Sequence, residues 1–222
     1  MKKFTERLLA ALCAVCIMTA VSCSDDKSEK ESSFSEPAAG AVDADGNPEF
    51  VTNPDEPDLG EYTVSAGGIK LYYDPDDVSA EIMALLEKYF VAYSQSDYET
   101  YTECVYPDYI TKMSEYLEKD FGYGLEQSFE TQCENLRTNA GGDFTVTRIK
   151  TELPEESGMD DFFASLDEVF GEGFYDSVKA DSDALYDVMF YVMAEANGEE
   201  TLLISEFEIV FAEKDGKFYT FG

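Results

Sequence analysis

The sequence predicts an α+β fold in which helices pack on an antiparallel β-sheet, and three patterns point to this class. Between residues 78 and 140, apolar side chains recur at the spacing of amphipathic helices. The last forty residues have the character of three strands joined by two tight turns. Residues 23–60 hold four prolines, many acidic residues and few apolar ones, which predicts a disordered acidic linker before a folded domain at 61–222.

Within this linker, the run from Asp43 to Glu49 resembles the opening of a calcium-binding EF-hand loop. Pro48 stands where that loop needs a glycine, and Pro54 stands where it needs a bidentate glutamate. The sequence therefore favours a degenerate acidic linker over a calcium site.

The domain is expected to begin with a short hairpin around Gly67 and Gly68, followed by the clearest amphipathic helix of the chain. Its apolar face is formed by Ile82, Leu85, Leu86, Tyr89, Phe90 and Tyr93. Ser96 and Glu99 have the spacing of a capping box, which predicts that Ser96 starts a second helix. Pro107 is expected to open a third helix.

A fourth helix is predicted from Leu125 to the glycine pair Gly141 and Gly142. A strand should follow from Phe144. It should contain a bulge between Val146 and Ile149, because the alternation of apolar and polar residues is interrupted there. Another amphipathic helix is predicted from about residue 159 to Gly171–Gly173.

The remaining chain predicts a three-stranded meander over residues 185–196, 201–213 and 217–221, with turns at Asn197-Gly198 and Asp215-Gly216. In its middle strand, apolar residues should share one face while Glu206 and Glu208 point away from the helices.

Composition limits the partners that this chain can have. The chain has 48 acidic and 15 basic residues and no histidine, and its net charge is −33. Without residues 1–22, which hold three basic residues and one acidic residue, the charge is −35. Such a charge disfavours nucleic acid and anionic lipid surfaces, and it leaves neutral or cationic partners. Neither a zinc-ligand set nor any other metal site is evident, and we expect no cofactor.

Two cysteines fall inside the predicted domain, Cys104 and Cys133, both in predicted helices. A possible disulfide between them would close a loop of about 30 residues and stabilise the fold by roughly 3 to 4 kcal/mol. Two buried free thiols packing as small apolar residues are an equally good interpretation.

The N-terminus has the pattern of an export signal. A basic cluster precedes an apolar run from Leu8 to Val21, which is too short to cross a bilayer. The run ends at Ala20-Val-Ser22-Cys23, followed by acidic residues. This stretch resembles the lipobox of bacterial lipoproteins, although Ala20 stands where that family usually has leucine.

The lipobox resemblance implies that residues 1–22 are a signal peptide and that Cys23 is lipidated on sulfur with a palmitate-type chain. The protein would then be held on a cell membrane, facing the outside of the cytoplasm. The alternative is an ordinary secretory signal cut nearby, with Cys23 left free.

The domain itself resembles the cystatin-like cone fold of the nuclear-transport-factor-two-like superfamily. The resemblance rests on helices that precede a curved antiparallel sheet, on Tyr93-Ser-Gln-Ser-Asp-Tyr98 and on Asp215-Gly-Lys-Phe-Tyr219. It covers roughly residues 78–222, and the additional helices at 108–138 and 159–176 depart from the minimal cone.

That superfamily includes enzymes, binding modules and assembly domains, so the fold alone does not give the function. Its enzymes are similar in using Asp with His or Tyr, and this chain has no histidine. We therefore expect a non-catalytic domain that binds an unknown protein or small molecule, with a small enzyme using the pair Asp187 and Tyr191 as the alternative. A deep hollow would favour a small-molecule ligand, and a filled interior with an exposed apolar patch would favour a protein partner.

Overall fold

The computed structural model describes residues 34–222, so the predicted signal peptide and Cys23 lie outside the described residues. The helices are α1 (Ala80–Gln95), α2 (Tyr98–Cys104), α3 (Pro107–Phe121), α4 (Leu125–Ala140), α5 (Met159–Phe170) and α6 (Phe174–Asp181). The strands are β1 (Val51–Thr52), β2 (Glu61–Val64), β3 (Lys70–Tyr72), β4 (Phe144–Glu152), β5 (Ala184–Ala196), β6 (Glu199–Lys214) and β7 (Lys217–Thr220). Within residues 34–222, none of the helices combines the length and the apolar character that crossing a bilayer requires.

The seven strands form one open sheet in the order of the sequence, and the predicted α+β class is confirmed. The sheet is mixed, since β3 and β4 run parallel with Leu71 opposite Ile149, so the prediction of a purely antiparallel sheet is wrong at this pair. Four helices separate these two strands in the chain. Such a long crossover can bring the chain back beside β3 in the same direction, which a hairpin cannot do.

The long helices begin and end close to the predicted positions. The Ser79 side chain accepts a hydrogen bond from the backbone N–H of Ile82 at the start of α1, and Pro107 opens α3. The predicted capping box is wrong by one residue, because Asp97 caps α2 by accepting a hydrogen bond from the N–H of Thr100 at 3.0 Å. Ser96 instead ends α1 in a left-handed conformation, with φ of 54°, and so cannot begin the next helix.

The later elements also follow the predicted order. The register of β4 against β5 shifts between Val146 and Arg148, which confirms the predicted bulge. The meander of β5, β6 and β7 is present, and its turn residues Asn197 and Asp215 have positive φ. The short helix α6 was not predicted as a separate element, and it begins after Gly173, whose φ is 96°.

The sheet has two differently covered faces. The inner face packs on the helices, and α1 supplies its fully buried Ile82, Met83 and Leu86. The outer face carries a smaller buried cluster of Tyr62, Val64 and Tyr72, which we call the outer cluster.

Residues 34–60, called the N-terminal segment below, cover the outer cluster with Phe34, Val51 and Leu59. Regular structure is present in part of the segment where the sequence predicted a disordered linker, since β1 pairs with β2 and a 3-10 turn follows at Pro57–Leu59. Arg148 on β4 explains part of this order, since its Nη1 donates to both carboxylate oxygens of Glu56 at 2.8 and 2.9 Å. A second ion pair joins Lys70 to Glu36.

Candidate functional site

The inner face encloses a cavity of about 340 Å³ between the helices and the sheet. Its buried walls come from α1, α3, α4, α5 and the last three strands with the residues that follow them. They are mainly aromatic and aliphatic and include Tyr89, Phe90, Tyr93, Tyr109, Met113, Leu136, Leu166, Phe190, Ile209 and Phe221. The volume lies within the range of small-molecule binding pockets, which begins at about 300 Å³.

Helical spacing explains how the sequence builds this wall. Tyr89 and Tyr93 lie four residues apart on α1, and Gln132 and Leu136 are related in the same way on α4. Residues with this spacing project from the same side of a helix. Each helix therefore presents a pair of residues to the cavity.

A chain of hydrogen bonds runs through the aromatic wall. The hydroxyls of Tyr89 and Tyr93 lie 3.3 Å apart, and the Tyr93 hydroxyl donates to Gln132 Oε1 at 2.9 Å. Burial raises the pKa of both phenols well above the ordinary value. Both hydroxyls are therefore protonated at neutral pH, where they act as hydrogen-bond donors and acceptors and not as bases.

The rim of the cavity is more polar than its walls. It is formed by partly or fully exposed residues from α4, α5 and β6, namely Gln132, Asn135, Asp161, Phe162, Ser165, Ile204, Phe207 and Glu208. Two of these are carboxylates, and among the described residues no lysine or arginine lines the cavity. The rim therefore combines aromatic rings, amides and negative charge.

Glu208 is held at the rim by the N-terminus of α5. Its Oε1 accepts a hydrogen bond from the backbone N–H of Gly158 at 2.5 Å, and a Cβ added at Gly158 would lie 2.8 Å from both carboxylate oxygens. Positive potential at a helix N-terminus stabilises a carboxylate in this position. The half-buried Glu208 therefore faces the start of α5, whereas the strand pattern predicted a side chain pointing away from the helices.

A second carboxylate lies next to Glu208 on the neighbouring strand. Asp187 Oδ2 accepts a hydrogen bond from the Ser157 hydroxyl at 2.5 Å, and the Asp187 side chain also interacts with the Glu208 carboxyl. Burial, followed by the interaction with Asp187, raises the pKa of Glu208. A protonated Glu208 can donate a hydrogen bond to the Asp187 carboxylate.

Asp187 and Tyr191, the pair considered for the alternative of a small enzyme, are not joined by a hydrogen bond. The Tyr191 hydroxyl donates to Glu152 Oε1 at 2.7 Å, whereas Asp187 is bound to Ser157. The interaction with Glu152 raises the pKa of Tyr191 to about 12, which keeps the phenol protonated at neutral pH.

The other predicted site residues lie away from the cavity. Cys104 and Cys133 are free, buried thiols, so the possible disulfide is not formed, and burial raises the pKa of Cys104 to about 11. In the EF-hand-like stretch, Asp43 Oδ1 accepts the backbone N–H groups of Asp45 and Asn47, each at 2.9 Å. Over residues 34–222, no group of three or more potential metal-ligating side chains is arranged around one point.

The polar rim residues were missed by the sequence analysis. Gln132 and Asn135 flank the apolar face of α4 at helical spacing, and Asp161 lies in the first turn of α5, where acidic residues are common. A polar residue at the margin of an apolar face is the only local signal that these positions carry.

Comparisons with known protein families, with curated proteins and with solved structures gave no match to this chain.

Proposed function

We propose that this protein is a lipid-anchored, extracytoplasmic binding protein whose domain holds a small and largely apolar ligand in the inner cavity. The observation that supports this function is the cavity of about 340 Å³ itself. Protein interiors pack to the density of organic crystals, so an apolar space of this size in a core of this kind is unusual without a ligand to fill it. We propose that the domain binds this ligand and performs no covalent chemistry on it.

The chemistry of the walls supports ligand binding over catalysis. The buried Tyr89 and Tyr93 keep their protons at neutral pH, because burial raises their pKa. Their hydrogen-bonded hydroxyls offer one polar contact within an otherwise apolar surface. A few placed polar groups in an aromatic pocket are typical of sites that orient a ligand.

We also propose that the domain is a cystatin-like cone and that Cys23 carries the lipid anchor. The long helix α1 before the meander β5–β7 supports the cone assignment. The anchor rests on the lipobox residues Ser22 and Cys23.

The anchor can be tested by replacing Cys23 with alanine in the full chain. Cys23→Ala should abolish labelling by a palmitate analogue and release the protein from the membrane fraction. Cys16→Ala is the matched control, since Cys16 follows Val15 and lacks the small preceding residue. Labelling and membrane retention that persist in Cys23→Ala would contradict the anchor.

Ligand binding can be tested with N-phenyl-1-naphthylamine, an uncharged probe whose fluorescence rises in apolar sites. The purified protein should bind this probe saturably, and Ile204→Trp, which fills the rim of the cavity, should weaken binding by at least about tenfold, the equivalent of ~1.4 kcal/mol.

Leu202→Trp is the matched control, because Leu202 lies on the same strand with 52% of its surface exposed and does not line the cavity. Absence of probe binding, or equal loss in both variants, would contradict the proposed site. Reproducible turnover that is lost in Asp187→Asn or Tyr191→Phe would favour the enzyme alternative.

A further inference from the structure

The charge at the rim is one-sided. Asp161 and Glu208 place two carboxylates at the opening, and within the described chain no lysine or arginine lines the cavity to balance them. A ligand with an anionic head group would therefore be repelled at the opening, whereas a cationic head group would find two acceptors.

The one local feature that could attract an anion is already occupied. The N-terminus of α5 lies beside the rim, and a helix N-terminus is a common binding site for carboxylates and phosphates. Here the backbone N–H of Gly158 donates to Glu208 Oε1 at 2.5 Å, so the carboxylate of the protein takes the position of an external anion. The rim is thus closed to anions by charge and by hydrogen bonding.

Aromatic rings line the same cavity as the two carboxylates. Phe162 on α5 and Phe207 on β6 line the same opening, and the rings of Phe190 and Phe207 lie 5.5 Å apart on neighbouring strands. The face of an aromatic ring attracts a cation, and a set of such rings with an acidic residue is a common arrangement for ammonium recognition. An apolar body can continue into the deeper walls of Phe90 and Leu166.

We infer that the ligand is a cationic amphiphile, an ammonium group on an apolar and preferably aromatic body, with its charge at the rim beside Asp161 and Glu208. This inference rests on the proposed function and specifies the class of ligand that the cavity takes. The net charge of −33 adds a general attraction of cations to the protein surface.

Three ligands that share the same apolar body and differ only in their head group test which head group the cavity prefers. Binding of 4-phenylbutylamine, 4-phenyl-1-butanol and 4-phenylbutyrate to the full chain is measured by isothermal titration calorimetry at low and high salt. The amine should bind about tenfold more tightly than the alcohol, by cation–aromatic and carboxylate contacts, and the carboxylate ligand should bind most weakly.

Two variants locate the charge effect on the rim. Glu208→Gln keeps a carbonyl acceptor for the N–H of Gly158, and Asp161→Asn changes an exposed residue, so both should fold. Each should weaken binding of the amine by about threefold to tenfold while leaving the alcohol unchanged. Glu168→Gln is the matched control, since it removes one charge from α5, the helix that carries Asp161, at an exposed position outside the cavity.

The outcomes separate the two proposals. Equal affinity for amine and alcohol, tighter binding of the carboxylate ligand, or an equal effect of Glu168→Gln would overturn the cationic class. Binding of N-phenyl-1-naphthylamine without binding of the amine would also overturn it and leave the proposed site intact. Failure of all four molecules to bind would overturn the proposed function itself.

Discussion

On the outer face of the sheet, Tyr62 and Tyr72 pack with their ring centroids 4.9 Å apart beneath the N-terminal segment. On the inner face, Tyr89 and Tyr93 pack with centroids 5.1 Å apart against the cavity. The two pairs differ in their hydroxyls, since the buried Tyr62 hydroxyl has no hydrogen-bond partner among the described residues, whereas those of the inner pair join a chain to Gln132.

This difference fits the function proposed for the cavity. A buried hydroxyl without a partner costs free energy, so Tyr62 contributes by the area of its ring and not by its polar atom. The inner tyrosines keep their polar atoms paired beside an open volume, and a few polar groups in an apolar lining are typical of small-molecule pockets. Under the proposed function, the outer face is a structural cover and the inner face is the binding face.

The largest expected effect comes from removing the packing of the binding face. Leu86 is fully buried on α1, and Leu86→Ala should lower the free energy of unfolding by roughly 2 to 5 kcal/mol, because it leaves a hole in the core. Leu85→Ala, one residue away on a half-buried position, is the matched control and should cost clearly less. Urea denaturation followed by circular dichroism measures both free energies of unfolding. A loss below about 1 kcal/mol for Leu86→Ala would show that α1 does not form the core.

The tyrosine hydroxyls provide a smaller and more specific comparison. Tyr93→Phe removes the donor to Gln132 and should cost about 1 kcal/mol, the typical net value of one hydrogen bond. Tyr62→Phe removes a buried hydroxyl that lacks a partner and should leave the stability unchanged or slightly higher. Equal losses in the two variants, measured by the same urea method, would contradict the distinction between the faces.

The smallest expected effect concerns the Glu208 carboxyl at the rim. Because the folded protein raises the pKa of Glu208, the folded form binds a proton more readily than the unfolded form. The contribution of this group to the free energy of unfolding is fully present below the ordinary glutamate pKa. It is lost as the pH rises through the raised pKa of Glu208 in the folded protein. Glu208→Gln should therefore be more stable than the natural protein at neutral pH, with a difference that disappears on acidification.

Thermal unfolding of both proteins between pH 4 and pH 8 measures this difference. Glu168→Gln, which removes the same charge from an exposed position on α5, controls for the general effect of lowering the net charge. A Glu208→Gln protein that is less stable at neutral pH would show that the carboxylate bond to Gly158 outweighs the cost of the buried charge.

Long periodic patterns explain why much of the binding face was predictable. The face of α1 from Ile82 to Tyr93 repeats over three turns, and the turns at Asn197 and Asp215 use residues that accept positive φ. The eight-residue helix α6 buries only Phe174 and Val178, too few positions for a pattern to emerge.

The features that escaped the sequence depend on contacts between distant residues. Order in the N-terminal segment relies on pairs such as Arg148 with Glu56, which lie 92 residues apart. The parallel pairing of β3 with β4 likewise depends on a crossover of four helices. The cavity is the volume left by side chains from seven elements, and no local pattern reports how completely such residues fill a space.

The most direct test of the binding face is a methyl NMR titration of the protein with N-phenyl-1-naphthylamine. We expect saturable shifts of the methyl groups that line the cavity, among them Met113, Ile209 and Val210, with no comparable change at Val51, Leu59 and Val64 around the outer cluster. Shifts confined to the outer cluster, or a probe that leaves the cavity methyls unchanged at saturating concentration, would contradict the assignment of the inner face as the binding face.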